Sequence, residues 1–302
     1  MEKSNKLSVM SESFFRYLKR TESFSKNTFL AYKNDINNFV SFLKDLRVED
    51  LVDLGGDLIV EYFQNVDVKY KGSTLMRNKS AIKKFLNYLK IYFKVNLTRA
   101  LSEIKIKKNE IKYKNVTVNE ILKVIEFIKG EDFFSKRDKA MFLVLYTTGI
   151  RASELKNLKI KDLSLNNRFL EVRGKFNRRI SFGENVAEVI NGYLIERKKI
   201  MKKHSKSNRG YLFVERSGDG LTRQSIYLIV KKCTNDAGLG KKISPQVLRN
   251  SIFIHLLSNG AKEEDVKEML GNKTFLPHFE KIIDQDNASS VYIHSHPILL
   301  DK

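Results

Sequence analysis

The chain has one cysteine, Cys233, and three prolines, at positions 245, 277 and 297. A single thiol can form neither an intrachain disulfide nor a cysteine zinc cluster. So few prolines leave most of the chain free of helix breakers. Long apolar runs are also missing. The stretch Ala140–Tyr146 is far too short to span a bilayer. The start, Met1-Glu2-Lys3-Ser4-Asn5, leads into no apolar signal core. A soluble cytoplasmic protein with no membrane association is therefore expected. GxxxxGK[ST], HExxH, CxxC and GxSxG do not occur. Among five histidines, only His294 and His296 form an HxH pair, and two ligands do not close a metal set. No metal and no cofactor are expected. Acidic residues are scarce as well: 35 Asp and Glu stand against 56 Lys and Arg, a net charge of +21. Such a surplus repels itself in the compact state and points to a polyanionic partner.

What is present suffices for a folded chain. Its 302 residues, 42% of them hydrophobic, exclude wholesale disorder and predict two domains. The positive charge is not a tail. Residues 1–110 carry 21 basic and 13 acidic side chains, and residues 111–302 carry 35 and 22. Both halves can therefore touch one nucleic acid. An anionic membrane surface is the rival partner, but no single basic amphipathic helix supports it. Phe29, Tyr32, Ile36, Phe39, Val40 and Leu43 follow helical spacing after Ser25, and Leu75, Ile82, Phe85, Leu86 and Leu89 follow it after Gly72-Ser73. The second stripe has Arg77, Lys79, Lys83 and Lys84 on its other face, suited to phosphates or simply to solvent.

Glu103–Lys114, with five lysines, reads as a basic linker, and Thr117-Val118-Asn119-Glu120 is a capping box that opens a helix. The domain boundary is placed near residue 108, giving domains 1–108 and 109–302. The second domain mixes elements. Lys139–Tyr146 reads as a helix closed by Gly149, and Phe169–Arg173 and Arg179–Phe182 as paired strands about Gly174-Lys175-Phe176-Asn177. Helices are predicted over Glu184–Lys198 and Thr222–Ala237, from Ser244-Pro245 to about Asn259, and over Ala261–Leu270 with Gly271 at its end.

One ordered set of motifs runs through this second domain. It comprises Thr147-Thr148-Gly149-Ile150-Arg151-Ala152-Ser153-Glu154-Leu155, then Ser244-Pro245-Gln246-Val247-Leu248-Arg249. His255-Leu256-Leu257-Ser258-Asn259-Gly260-Ala261, Leu270-Gly271-Asn272 and Val291-Tyr292-Ile293-His294 complete it. The set resembles the tyrosine recombinase (phage integrase) family, close to its Xer-type members. Ser25-Lys26-Asn27-Thr28 leading into Ala31-Tyr32-Lys33-Asn34-Asp35-Ile36 resembles the family's helical core-binding domain, so the likeness spans nearly the whole chain.

The resemblance implies a mainly α fold with a small β-hairpin: a helical, SAM-like core-binding domain followed by an α+β catalytic domain. It implies site-specific DNA recombination through a 3′-phosphotyrosyl intermediate. The partners would be double-stranded DNA and a homotetramer on two synapsed sites, or a heterotetramer with a related recombinase. Residues after Tyr292, including Ile298-Leu299-Leu300, would then dock on a neighbouring subunit. Arg151 and Arg249 would clamp the nonbridging phosphate oxygens. Lys175 would protonate the departing 5′ oxygen, and Tyr292 would be the nucleophile.

Three departures stand out. Gln246 and Asn272 occupy positions where the family usually has histidine, or histidine or tryptophan. Amides bind phosphate but exchange no proton near neutral pH. Tyr292 lies 20 positions after Asn272, farther than usual, yet no other tyrosine follows Tyr227. These departures motivate the alternative of a catalytically weak or inactive DNA-binding relative. Two further residues are open in the sequence. Glu154 either orients a site neighbour or lies on the surface, and His255 reads as a packed residue rather than a catalyst.

Overall fold

The structure, a computed structural model, describes residues 6–22, 24–70, 72–106, 115–174, 176–203 and 210–271. The chain divides into two compact units, 1–111 and 112–302. The junction expected near residue 108 lies outside the described residues.

Among the described residues, the first unit is built from helices. Its elements are α1 (Leu7–Thr21), α2 (Lys26–Asp45), α3 (Gly56–Asp67), α4 (Gly72–Phe93) and the single turn α5 (Ala100–Glu103). Ser25 opens α2 by accepting from the Thr28 N–H at 3.1 Å, as an N-cap should. The two apolar stripes meet in one core, where Ile36, Phe39, Leu43, Ile82, Phe85 and Leu89 are fully buried. Helix α1 was not anticipated. Its Leu7, Met10, Phe14 and Leu18 complete the same core, and Phe14 packs on Phe85 with ring centroids 5.2 Å apart. Among the basic residues of α4, three are engaged within the unit. Arg77 pairs with Asp35, Lys79 donates to the Ile104 carbonyl at 2.8 Å, and Lys84 pairs with Glu22.

The second unit contains α6 (Val118–Phe127), α7 (Phe133–Thr148), α8 (Ala152–Leu155), β1 (Leu163–Ser164), β2 (Phe169–Val172) and β3 (Arg178–Ser181). Four more helices follow: α9 (Glu184–Lys203), α10 (Arg223–Asp236), α11 (Pro245–Ser258) and α12 (Glu263–Leu270). The capping box at Thr117 is complete, with Thr117 Oγ1 accepting from the Glu120 N–H and Glu120 accepting from the Thr117 N–H. Helix α7 is the central post. Nearly every side chain from Ala140 to Thr148 is buried, and α9, α10 and α11 pack around it. A helix buried on all sides needs no polar face, so its sequence shows an apolar run rather than a stripe.

The three strands form an antiparallel sheet in the order β1-β2-β3, with Leu170 opposite Ile180 and Glu171 opposite Arg179. Leu170, Val172 and Ile180 face the core, while Glu171 and Arg179 pair on the outer face at 2.9 Å. The two-residue strand β1 is too short to leave an alternating pattern, and it went unread in the sequence. Among the described residues no helix is long and apolar enough to cross a membrane.

Candidate active site

The site forms where the ends of α7 and α12 meet the start of α11. Helix α7 stops at Gly149, whose φ of +57° lies in the left-handed region. A Cβ at that position would run into the Leu270 side chain, and would sit 3.1 Å from Ile252 Cγ2. Glycine is therefore required twice over, for conformation and for closeness. The turn exposes the Gly149 carbonyl, which accepts a hydrogen bond from Arg249 Nη1. Arg249 is placed by α11, which starts with Ser244 as N-cap and Pro245 in its first turn. Its Nη2 donates to the Leu270 carbonyl at 2.6 Å.

Arg151 lies just past Gly149 and is half-buried. Its Nη2 donates to the Gly271 carbonyl at 3.3 Å, and its Nη1 to Glu154 Oε1 at 3.2 Å. Glu154 also accepts from the Arg151 backbone N–H at 2.8 Å, so this carboxylate orients the arginine instead of facing solvent. Burial works to raise the Glu154 pKa. The hydrogen bonds from Arg178 and from the Arg151 N–H outweigh it and hold the carboxyl below its ordinary value. It is therefore ionised at neutral pH.

Burial, and after it the like charge of Arg151, push the Arg249 guanidinium down to about 9. It is still charged near pH 7, but the two cations are held together against their repulsion. An anion placed between them relieves that cost.

Gln246 is exposed on the first turn of α11, and its Nε2 donates to Asn250 Oδ1 at 2.9 Å. The structure thus brings together Arg151 and Arg249, with Gln246 four residues from Asn250 on the same helix. Lys175, Asn272 and Tyr292 lie outside the described residues. His255 is half-buried and pairs through Nδ1 with the Tyr146 hydroxyl at 2.8 Å, with its pKa lowered by burial. It is a packing residue in contact with α7.

One residue of the site was missed in the sequence. Arg178, the first residue of β3, grips both Glu154 oxygens at 3.0 Å and donates from Nε to the Met269 carbonyl at 2.6 Å. Its side chain is only 7% exposed. A signal existed: Arg178 shares the inward register of β3 with Ile180, and a cation on an inward position requires a partner.

Known proteins fit this arrangement. Residues 114–275 match the phage integrase family, and residues 12–91 match the phage integrase N-terminal SAM-like domain. The chain belongs to that family, the tyrosine recombinases. It is 30% identical over 295 residues to the tyrosine recombinase XerC of Thermodesulfovibrio yellowstonii, covering 95% of each chain. It is 32% identical over 267 residues to the tyrosine recombinase XerD of Oceanobacillus iheyensis, covering 86% of this chain and 89% of that one. Its fold also matches the XerH site-specific recombinase in a post-cleavage complex with palindromic difH substrate. There the TM-score is 0.71 at 19% identity, over 91% of this chain and 92% of the other.

Proposed function

We propose that this chain is a working site-specific DNA recombinase and that Tyr292 is its nucleophile. The Tyr292 oxygen attacks the scissile phosphorus, the P–O5′ bond breaks, and a 3′-phosphotyrosyl ester stores the bond energy without ATP or a metal. The reverse attack by a 5′ hydroxyl of the partner strand releases the tyrosine and closes the exchanged joint. Arg151 and Arg249 hold the nonbridging oxygens as charge gathers on them. Lys175, which falls between β2 and β3 in the sequence, gives its proton to the leaving oxygen. Gln246 and Asn272 serve as hydrogen-bond donors to the phosphate.

The observation that carries this reading is the pairing of Arg151 with Arg249. Two guanidiniums sit within reach of each other's charge, and both described hydrogen bonds of Arg249 go to backbone carbonyls rather than to a carboxylate. The substrate is double-stranded DNA. The helical unit, with its boundary near residue 108, contacts the duplex as the catalytic unit does. Four protomers, all of this chain or mixed with a related recombinase, bring two sites together. The reaction takes place in the cytoplasm, where chromosomal DNA is accessible.

The test uses a nicked duplex that traps the cleaved state, carrying a site selected from random-sequence DNA by binding to the full chain. The wild type is expected to form a covalent complex at a 3′ phosphate. Tyr292→Phe should bind the same duplex and form none, since only the attacking oxygen is lost. An adduct formed by Tyr292→Phe places the nucleophile elsewhere. A wild type that binds and forms no adduct, alone or with a partner recombinase, favours a DNA-binding relative.

A further inference from the structure

The C-terminal end of α12 is where three arginines converge. The last carbonyls of a helix have no partner inside it, and the negative end of the helix dipole favours cations there. Three successive carbonyls accept from three different guanidiniums: Met269 from Arg178, Leu270 from Arg249, and Gly271 from Arg151. Two of these arginines are the phosphate clamp. Arg178 is not, because its other bonds go to both oxygens of Glu154, which in turn holds the Arg151 backbone and guanidinium, and at 3.4 Å to the Phe176 carbonyl. Arg178 also lies against Gly271: a Cβ on that residue would sit 3.0 Å from Arg178 Nη1. The φ of Gly271 is +62°, so the backbone here is shaped by glycine to admit the guanidinium.

We propose that Arg178 is a positioning residue for DNA cleavage: it locks Glu154 and the end of α12 in the one arrangement that aims Arg151 at the scissile phosphate. The proposal rests on the recombinase reading and adds a residue to it. Without Arg178, the Glu154 carboxylate, already bonded to the Arg151 backbone and guanidinium, loses the anchor that fixes it and shifts, drawing that guanidinium away from the phosphate. Lysine keeps the charge but cannot span two carboxylate oxygens and a carbonyl with one planar fork. Arg178→Lys should therefore fold and bind DNA while aiming Arg151 poorly.

The experiment compares wild type and Arg178→Lys on two versions of the trapping duplex. One has an ordinary scissile phosphodiester. The other has a methylphosphonate there, in which a methyl group replaces one nonbridging oxygen and removes the negative charge. On the ordinary duplex, Arg178→Lys should cleave on the order of 10- to 100-fold more slowly, the scale expected when a catalytic group is misplaced by about an ångström. Affinity for the duplex should change by less than about threefold, since the lost interaction operates in the transition state. On the methylphosphonate the gap between the two proteins should close to within about threefold, because the neutral centre no longer needs Arg151's charge.

A cleavage rate equal to wild type on the ordinary duplex overturns the proposal. So does an equal loss on both duplexes, which marks a role in folding alone. If Arg178→Lys does not melt cooperatively, the double variant Arg178→Met with Glu154→Gln, which removes both charges of the Arg178–Glu154 pair together, takes its place with the same criteria, read against the single variant Glu154→Gln. A wild type that forms no adduct on either duplex overturns the recombinase reading itself, whereas every other failure falls on Arg178 alone.

Discussion

Arg77 in the helical unit and Arg249 in the catalytic unit are both tied into their folds, and they are tied differently. Arg77 makes a two-pronged pair with Asp35 at 2.8 and 2.9 Å, and Asp35 is 2% exposed. The charge there is answered by an opposite charge, and the pair joins α2 to α4. Arg249 is 3% exposed and its described bonds go to two backbone carbonyls, while a second guanidinium stands near it. Carbonyl partners are not by themselves the mark of a site. Arg197 is also buried, and it donates from Nε and Nη2 to the Tyr211 carbonyl. What separates Arg249 is the like charge of Arg151, which adds to burial in lowering its pKa. A structural arginine is given its counter-charge by the fold; on the proposed function Arg249 receives it from the substrate phosphate.

That contrast can be broken most directly by methionine, which keeps volume and removes charge. Arg249→Met and Arg151→Met should each lower cleavage of the trapping duplex on the order of 10²- to 10³-fold, the scale of losing one preorganised donor to a developing oxyanion. Urea unfolding of Arg249→Met should show a midpoint equal to wild type or higher, because a desolvated cation facing another cation has been removed. Arg77→Met should do the reverse. It leaves Asp35 buried without its partner, which costs about 1–3 kcal/mol in unfolding, with the chemical step on bound DNA unchanged. If Arg249→Met is destabilised as much as Arg77→Met, the two arginines do not differ in kind.

A smaller effect is expected in salt titrations of DNA binding. Removing one phosphate contact reduces the slope of log K against log salt by about 0.9 on duplex DNA. Arg151→Met should show that change, and Arg77→Met, already neutralised by Asp35, should show less.

The smallest effect concerns acid. The folded-state pKa of Glu154 lies below the ordinary glutamate value of 4.5. A carboxyl with a depressed pKa binds fewer protons folded than unfolded, so its stabilisation is fully present above the ordinary value and is lost as pH falls through the folded one. Urea unfolding between about pH 6 and pH 3 should show a shallower acid loss for Glu154→Gln than for wild type. An unchanged slope would mean that the carboxyl contributes nothing differential there.

Local chemistry was readable from the chain. The caps at Ser25, Thr117 and Ser244 each act within three residues. The stops at Gly149 and Gly271 depend on a single residue's freedom to adopt positive φ. The helix ends they mark were placed accordingly, whereas α7 begins at Phe133, six residues before the start expected at Lys139. Helix α1 does carry an apolar stripe, Leu7, Met10, Phe14, Phe15 and Leu18, interrupted only by Ser11, but its serines give little intrinsic helicity and packing against α2 and α4 holds it. The assignments of Lys175, Asn272 and Tyr292 rest on motif order in the sequence.

Sequence order thus determined the family, and it singled out Arg151 and Arg249 as candidates. Tertiary structure alone decided what those arginines touch. Arg249 reaches a carbonyl 100 positions away, Arg151 one 120 positions away, and Arg178 one 91 positions away. It also decided that Glu154 faces Arg178 rather than solvent. Caps and turns are fixed by neighbours along the chain, so residue type and spacing reveal them. A guanidinium on a flexible stem takes whichever acceptors the packing of distant helices leaves unpaired, and only the folded chain brings those acceptors together.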